Sequence, residues 1–141
     1  MNIAYFLHPK HEIAFLYDDF SFRQGLEKMR HHDYKAVPVI SRSGHYIGTV
    51  SEGDFLWKIL DQKEGSCTMR EMEQLRVQDI LRTDSYPAVP ITSTVEELVD
   101  SAMRQSFIPV VDDIGNFIGI VTRKDILHFL SKKCSGVPDF Y

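Results

Sequence analysis

The chain has 141 residues, 43% of them hydrophobic and 26% charged, with a formal net charge of -4, the make-up of a soluble globular protein with one core or two small halves. The mild negative charge argues against a partner made of nucleic acid, and no apolar run approaches the roughly 18 residues that cross a bilayer, so no membrane is expected either. Met1 to Lys10 lacks the basic, apolar pattern of a secretory leader, and Cys67 and Cys134 lack metal-ligand spacing, which reads as reduced thiols in a cytoplasmic protein.

In chain order, the apolar run Ile13 to Tyr17 predicts a first short strand, and Phe22, Leu26 and Met29 fall at helical spacing behind it. Pro38 to Ile40 is β-branched and predicts a second strand. Ser43-Gly44 supplies a turn, since glycine adopts positive φ at little cost, and Tyr46 to Val50 forms the returning arm of a hairpin. Ser51 then has the position of a helix N-cap before Gly53 to Leu60. Asp61 to Gln74 is charged, contains Gly65-Ser66, and reads as a partly helical connector. The series then repeats: strand at Ala88 to Ile91, helical spacing at Val95, Leu98 and Ala102, strand from Pro109, turn at Ile114-Gly115, strand at Phe117 to Val121, N-cap at Thr122, helix from Lys124 to Leu130.

The repetition is more than a matching order of elements. Pro38 to Leu56 reads PVISRSGHYIGTVSEGDFL, and Pro109 to Leu127 reads PVVDDIGNFIGIVTRKDIL, aligned without a gap at an offset of 71. Pro, Val, Gly, Ile, Gly, Val, Asp and Leu recur at identical places, and other changes include Ile to Val, Tyr to Phe and Ser to Thr. A helical period, then Pro-Val-(Ile/Val), a Gly turn and Ile-Gly-x-Val-(Ser/Thr)-x-x-Asp, found twice, resembles the cystathionine β-synthase (CBS) domain, and the pair resembles a Bateman module.

The resemblance implies an α/β fold of tandem CBS domains, each strand-helix-strand-strand-helix, packed about a pseudo-twofold axis. Residues 1–60 are expected to form the first domain, 61–74 a connector, 75–133 the second domain and 134–141 a tail. It further implies a stand-alone regulatory module without an attached catalytic or transport domain. Its clefts would take AMP, ADP, ATP or another adenosyl ligand (cyclic di-AMP, S-adenosylmethionine or NADH). The same resemblance implies a homodimer and a protein partner that the sequence does not name.

The family's motif falls on Ser51 and Asp54 in the first half and on Thr122 and Asp125 in the second. A hydroxyl at a helix start lies where free backbone N–H groups and the helix dipole favour a phosphate. The carboxylate three residues on is an acceptor suited to vicinal ribose hydroxyls. The same Ser/Thr-x-x-acid pattern also makes a capping box, for which aspartate is expected to reach back less easily than glutamate.

Related modules cross their clefts, so Thr122 and Asp125 would face Pro9, Lys10, Ile13 and Ala14 together with Tyr34, Lys35 and Ala36. Ser51 and Asp54 would face Ser85, Tyr86 and Pro87 with Gln105, Ser106 and Phe107. Pro109 follows Val95 by 14 residues whereas Pro38 follows Phe22 by 16, so the second loop is shortened, and Phe107 stands where the first half has Ala36. Both departures favour the Thr122/Asp125 cleft. Arg123, Lys124, Lys10 and Lys35 are the candidate cations for phosphate.

Other groups carry no chemistry on sequence. His31-His32 and His8 with His11 have no Cys or acid at an established ligand spacing, so they read as loop or exposed histidines and no metal is expected. Tyr5, Phe6, Phe15 and Tyr17 read as core or dimer surface. Neither Gly-x-Ser-x-Gly nor a Walker loop occurs, so a bound nucleotide would be held and not hydrolysed, and the chain is not expected to be an enzyme. The competing reading is a dimerisation or partner-docking module whose clefts stay empty.

Overall fold

The computed structural model describes residues 2–32, 35–60, 69–81 and 86–135. It is a mixed α/β chain that divides into two compact units, Ala14–Tyr86 and Met1–Ile13 with Pro87–Tyr141.

In the first of these units, strand β2 (Leu16–Tyr17) runs parallel to β3 (Ala36–Ile40), which pairs antiparallel with β4 (Tyr46–Ser51). Helix α1 (Phe22–His32) connects β2 to β3, and α2 (Glu52–Leu60) follows β4. Leu16, Val37, Val39 and Val50 from the sheet meet Phe22, Met29 and Phe55 from the helices, all buried. The 3-10 turn Val77–Asp79 adds Val77 to the same core, and the connector's described part forms α3 (Met69–Gln74).

The other unit repeats the plan. Strand β5 (Val89–Pro90) is parallel to β6 (Phe107–Val111), which pairs antiparallel with β7 (Phe117–Thr122). Helices α4 (Val95–Ala102) and α5 (Arg123–Ser135) cover this sheet through Leu98, Ile126 and Phe129. The hairpin turns place Gly44 and Gly115 at φ 96° and 88°, the left-handed region for which glycine is selected. The leading strands are shorter than the apolar runs predicted, two residues each at Leu16–Tyr17 and Val89–Pro90.

This second sheet has a fourth strand, β1 (His8–Pro9), paired antiparallel to β7 with His8 opposite Ile120 and Pro9 opposite Gly119. Residues 2–13 stand at the start of the first repeat in the sequence, yet they pack with the second half. Ile3 and Phe6, on the 3-10 turn Ile3–Phe6, are buried in its core, and Phe6 meets Phe129 edge to face at 5.2 Å. The aromatic set therefore divides, with Phe6 in the core, Tyr5 exposed, and Phe15 against Tyr17. β1 comes so close to β7 that a Cβ on Gly119 would lie 2.2 Å from the His8 carbonyl oxygen.

Candidate functional site

The two copies of the Ser/Thr-x-x-Asp motif sit at matching places. Glu52 N–H donates to the Lys35 carbonyl at 2.9 Å, and Arg123 N–H donates to the Ser106 carbonyl at 2.9 Å. Ser51, opposite Ala36, and Thr122, opposite Phe107, thus occupy non-hydrogen-bonded positions, with their own N–H groups turned out of the ladder. In both copies the hydroxyl caps the helix that follows: Ser51 Oγ accepts Asp54 N–H, and Thr122 Oγ1 accepts Asp125 N–H, each at 3.2 Å.

The carboxylates differ. Asp54 is buried and its Oδ2 accepts the Ser51 N–H at 2.8 Å, which closes a reciprocal capping box. The expectation that aspartate reaches back less easily than glutamate is corrected here, because the outward register of the Ser51 N–H brings it within reach of the shorter side chain. Asp125 does not take this bond. Its Oδ2 lies 2.5 Å from Nε2 of His8, and both side chains keep 42% of their exposure. Burial pushes the Asp125 carboxyl up, but hydrogen bonds from His8 and the Thr122 hydroxyl outweigh it, with Lys124 adding charge, and its pKa lies below the ordinary carboxylate value.

The pair borders a cavity of about 420 Å³ lined by the N-terminal segment and one face of α5, including Tyr5, Phe6, His128, Phe129 and Lys132. That volume is within the roughly 300–1,000 Å³ of small-molecule sites. Its chemistry is mixed: an aromatic floor, two imidazoles, an ammonium and an anionic acceptor. His8, expected as a loop or exposed histidine, stands on strand β1 with its side chain partly exposed against Asp125. The sequence signal that would have found it is indirect, for only the pairing of β1 with β7 brings it to a residue 117 positions away.

The remaining predicted site residues fall in both units. Lys10 and Ile13 lie with Thr122 and Asp125, Lys10 on a 3-10 turn (Lys10–Glu12) packed against β7. Ala14, Lys35 and Ala36 lie with Ser51 and Asp54, Ala36 half-buried in β3 and Lys35 exposed before it. Tyr34 lies outside the described residues. The Tyr86 carbonyl accepts the Tyr46 hydroxyl at 2.6 Å in one unit, while Pro87 and Ser106 belong to the other. Arg123, a candidate phosphate cation, is instead committed to the end of α4, with Nε donating to the Ala102 carbonyl at 2.6 Å. The shortened loop before β6 is tied down by buried Gln105, whose amide donates to the carbonyls of Pro87 and Phe107. Phe107 itself is buried beside Thr122 in the ladder.

Among the described residues no three His, Cys, Asp or Glu side chains are grouped to hold a metal, and no helix is long and apolar enough to cross a membrane. Cys134 is exposed and unpaired, and Cys67 lies outside the described residues.

The sequence model of the CBS domain matches residues 6–61 and 77–132. The chain belongs to the CBS domain family, as a tandem pair. It is 30% identical over 106 residues to the uncharacterized protein MK0525 of Methanopyrus kandleri, covering 71% of this chain and 48% of that one, so it spans about half the length of that relative. Among solved structures, CbpB in complex with c-di-AMP superimposes with a TM-score of 0.85 at 24% identity, covering 100% of this chain and 91% of that one. CBSX2 in complex with AMP superimposes at 0.71 with 21% identity, covering 93% and 96%. At these identities the likeness is one of fold.

Proposed function

We propose that the chain is a regulatory module, not a catalyst, that senses an adenine nucleotide held at the Thr122–Asp125 motif. AMP, ADP and ATP are the first candidates; cyclic di-AMP, S-adenosylmethionine and NADH carry the same adenosyl group. The observation that carries this reading is the Asp125 carboxylate, anionic, accessible and beside a cavity, where its counterpart Asp54 is folded into its own helix cap. Ribose hydroxyls donate to such an acceptor, and the start of α5 and the basic cavity wall favour a phosphate. Two fold relatives were solved with AMP and with c-di-AMP, which supports the ligand class. Lys10, Ile13, Ala14, Tyr34, Lys35 and Ala36 are the proposed base and phosphate contacts of this ligand, with Tyr86, Pro87 and Ser106 serving the Ser51–Asp54 motif.

The module acts in the cytoplasm as a homodimer that relays ligand state to a protein partner. Leu56, Trp57 and Leu60 on α2 and Leu127 on α5 are more than half exposed, and a dimer would cover them. Phe55 and Ile126 on the same helices are buried in their own units. Light scattering giving the mass of one chain at micromolar protein would remove the dimer.

Thermal unfolding in the presence of these ligands tests the whole proposal. A ligand at 100 times its dissociation constant stabilises the fold by about 2.7 kcal/mol, which raises Tm by roughly 5–10 °C for a chain of this size. No shift with any of them at millimolar concentration overturns it. The reading that then takes its place is a ligand-free dimerisation or docking module, favoured by the closed Ser51–Asp54 box, in which the same motif serves as a cap.

A further inference from the structure

We infer that His8 is a positioning residue: it draws the Asp125 carboxylate away from its own helix cap and presents it to the ligand. The inference rests on the nucleotide reading above and adds to it the reason why one of two near-identical motifs is open.

Left to local geometry, an aspartate three residues after an N-cap hydroxyl turns back onto the cap's N–H, as Asp54 does on Ser51. Thr122 offers the same N–H at the same register position, and the Thr122 hydroxyl caps Asp125 N–H as Ser51 caps Asp54. Asp125 is nonetheless bonded to His8 at 2.5 Å. The imidazole is not a loose competitor. Its backbone is a strand residue opposite Ile120, Ile3 and Phe6 ahead of it are buried, and its carbonyl abuts Gly119 too closely for any side chain there. A carboxylate has about four acceptor positions. With Oδ2 held by Nε2–H and the Thr122 hydroxyl bonded to the same carboxylate, the remaining acceptor positions stay available to hydroxyl donors. A fixed acceptor binds more tightly than one that must first leave its cap. The groups facing the imidazole across the cavity are Asp125, His128 and Lys132 from α5 and Tyr5 from its own segment.

The test uses the full chain with His8→Ala and His8→Gln, AMP and cyclic di-AMP as probes, calorimetric Kd values, and amide hydrogen exchange at Thr122. His8→Ala should weaken the bound probe about tenfold, which is about 1.4 kcal/mol. It should also increase protection of the Thr122 amide as Asp125 swings back to cap it. His8→Gln, whose side-chain N–H replaces Nε2–H, should restore most of the affinity and leave Thr122 unprotected. A merely structural His8 would not move the Thr122 amide or be rescued by Gln. Unchanged affinity and unchanged exchange in His8→Ala overturns the inference, and so does tighter binding, which would make His8 a competitor. If the wild type binds neither probe, that counts against the nucleotide reading. The unliganded Thr122 exchange still decides the positioning role: protection gained in His8→Ala supports it and no change sinks it. Should His8→Ala fail to fold, the Gln variant gives the same two readouts, and loss of affinity there would refute the rescue.

Discussion

The two halves of this chain share a motif and divide its labour. Ser51 and Asp54 close on each other, so the carboxylate is buried in the start of α2 and serves the fold. Thr122 and Asp125 keep the hydroxyl cap without the return bond to the backbone N–H, and the carboxylate is half-exposed against His8. The same four-residue pattern is therefore structural in one place and available in the other. What decides is the neighbour each half acquires from elsewhere in the chain: the second half carries β1 on its sheet edge, brought from residues 8–9. The lead-in segment of the first repeat, seated on the sheet of the second, breaks the symmetry of the pair.

The largest effect expected from breaking this asymmetry is steric. Gly119→Ala puts a Cβ 2.2 Å from a backbone oxygen at φ 157°, so β1 must leave β7 or the strands must shift. Overpacking against backbone costs about 3 kcal/mol, and chemical denaturation should read it as a lower midpoint. The equivalent Gly48, which is not at positive φ and has no added strand beside it, should be the milder position. Equal losses at the two sites would mean that β1 is not what distinguishes the halves.

Binding should separate them next. Asp125→Ala removes hydrogen bonds to a charged acceptor, each worth about 1.5–3 kcal/mol, and affinity for AMP or cyclic di-AMP should fall roughly ten- to a hundredfold. Asp54→Ala should change affinity far less. Calorimetric titration giving the opposite ranking would assign the ligand to the first half.

A third contrast is alkaline. Where the second half has Phe117, the first has Tyr46, whose hydroxyl bonds Thr49 at 2.8 Å and the Tyr86 carbonyl at 2.6 Å. Burial pushes its pKa up to about 12 from 10.0. The folded value is raised, so the stability it represents is fully present below about pH 10 and is lost as pH rises through about 12. The two-unit shift bounds the loss at about 2.7 kcal/mol, less for a partly exposed ring. Tyr46→Phe should flatten stability against pH in that range, and an unchanged slope would place the alkaline sensitivity elsewhere.

Much of this was legible in the sequence because the determinants are local. Pro38 and Pro109, the turn glycines and the Ser/Thr caps each fix backbone within a few residues, so the hairpins and helix starts fall where the repeat puts them. The preference for the Thr122–Asp125 motif came from the shortened loop and Phe107. Gln105 and Phe107 are buried in that loop and strand, and Asp125 keeps 42% of its side-chain exposure beside His8. What was not legible was long-range: residues 2–13 packing on the second half, His8 reaching Asp125, and Arg123 turning to the Ala102 carbonyl. No periodicity encodes a pairing between residues more than a hundred positions apart.

The smallest contrast is in the stability of the unliganded chain, and its sign matters more than its size. Asp54 accepts a backbone N–H and is buried, so Asp54→Ala strips a reciprocal cap worth about 0.5–2 kcal/mol and leaves the Ser51 N–H unpaired. Asp125 is nearly half exposed, and an exposed ion pair contributes about 0–1 kcal/mol, so Asp125→Ala should cost only a few tenths. Its folded pKa is lowered, so whatever it contributes is present above the ordinary carboxylate range and is lost as pH falls through the lowered value. At neutral pH, then, Asp54→Ala should be the less stable variant while Asp125→Ala is the weaker binder. Denaturant midpoints measured beside the binding curves check both at once. Should the two variants lose equal stability and leave affinity untouched, both aspartates are caps, and the second half differs from the first only in how its cap is made.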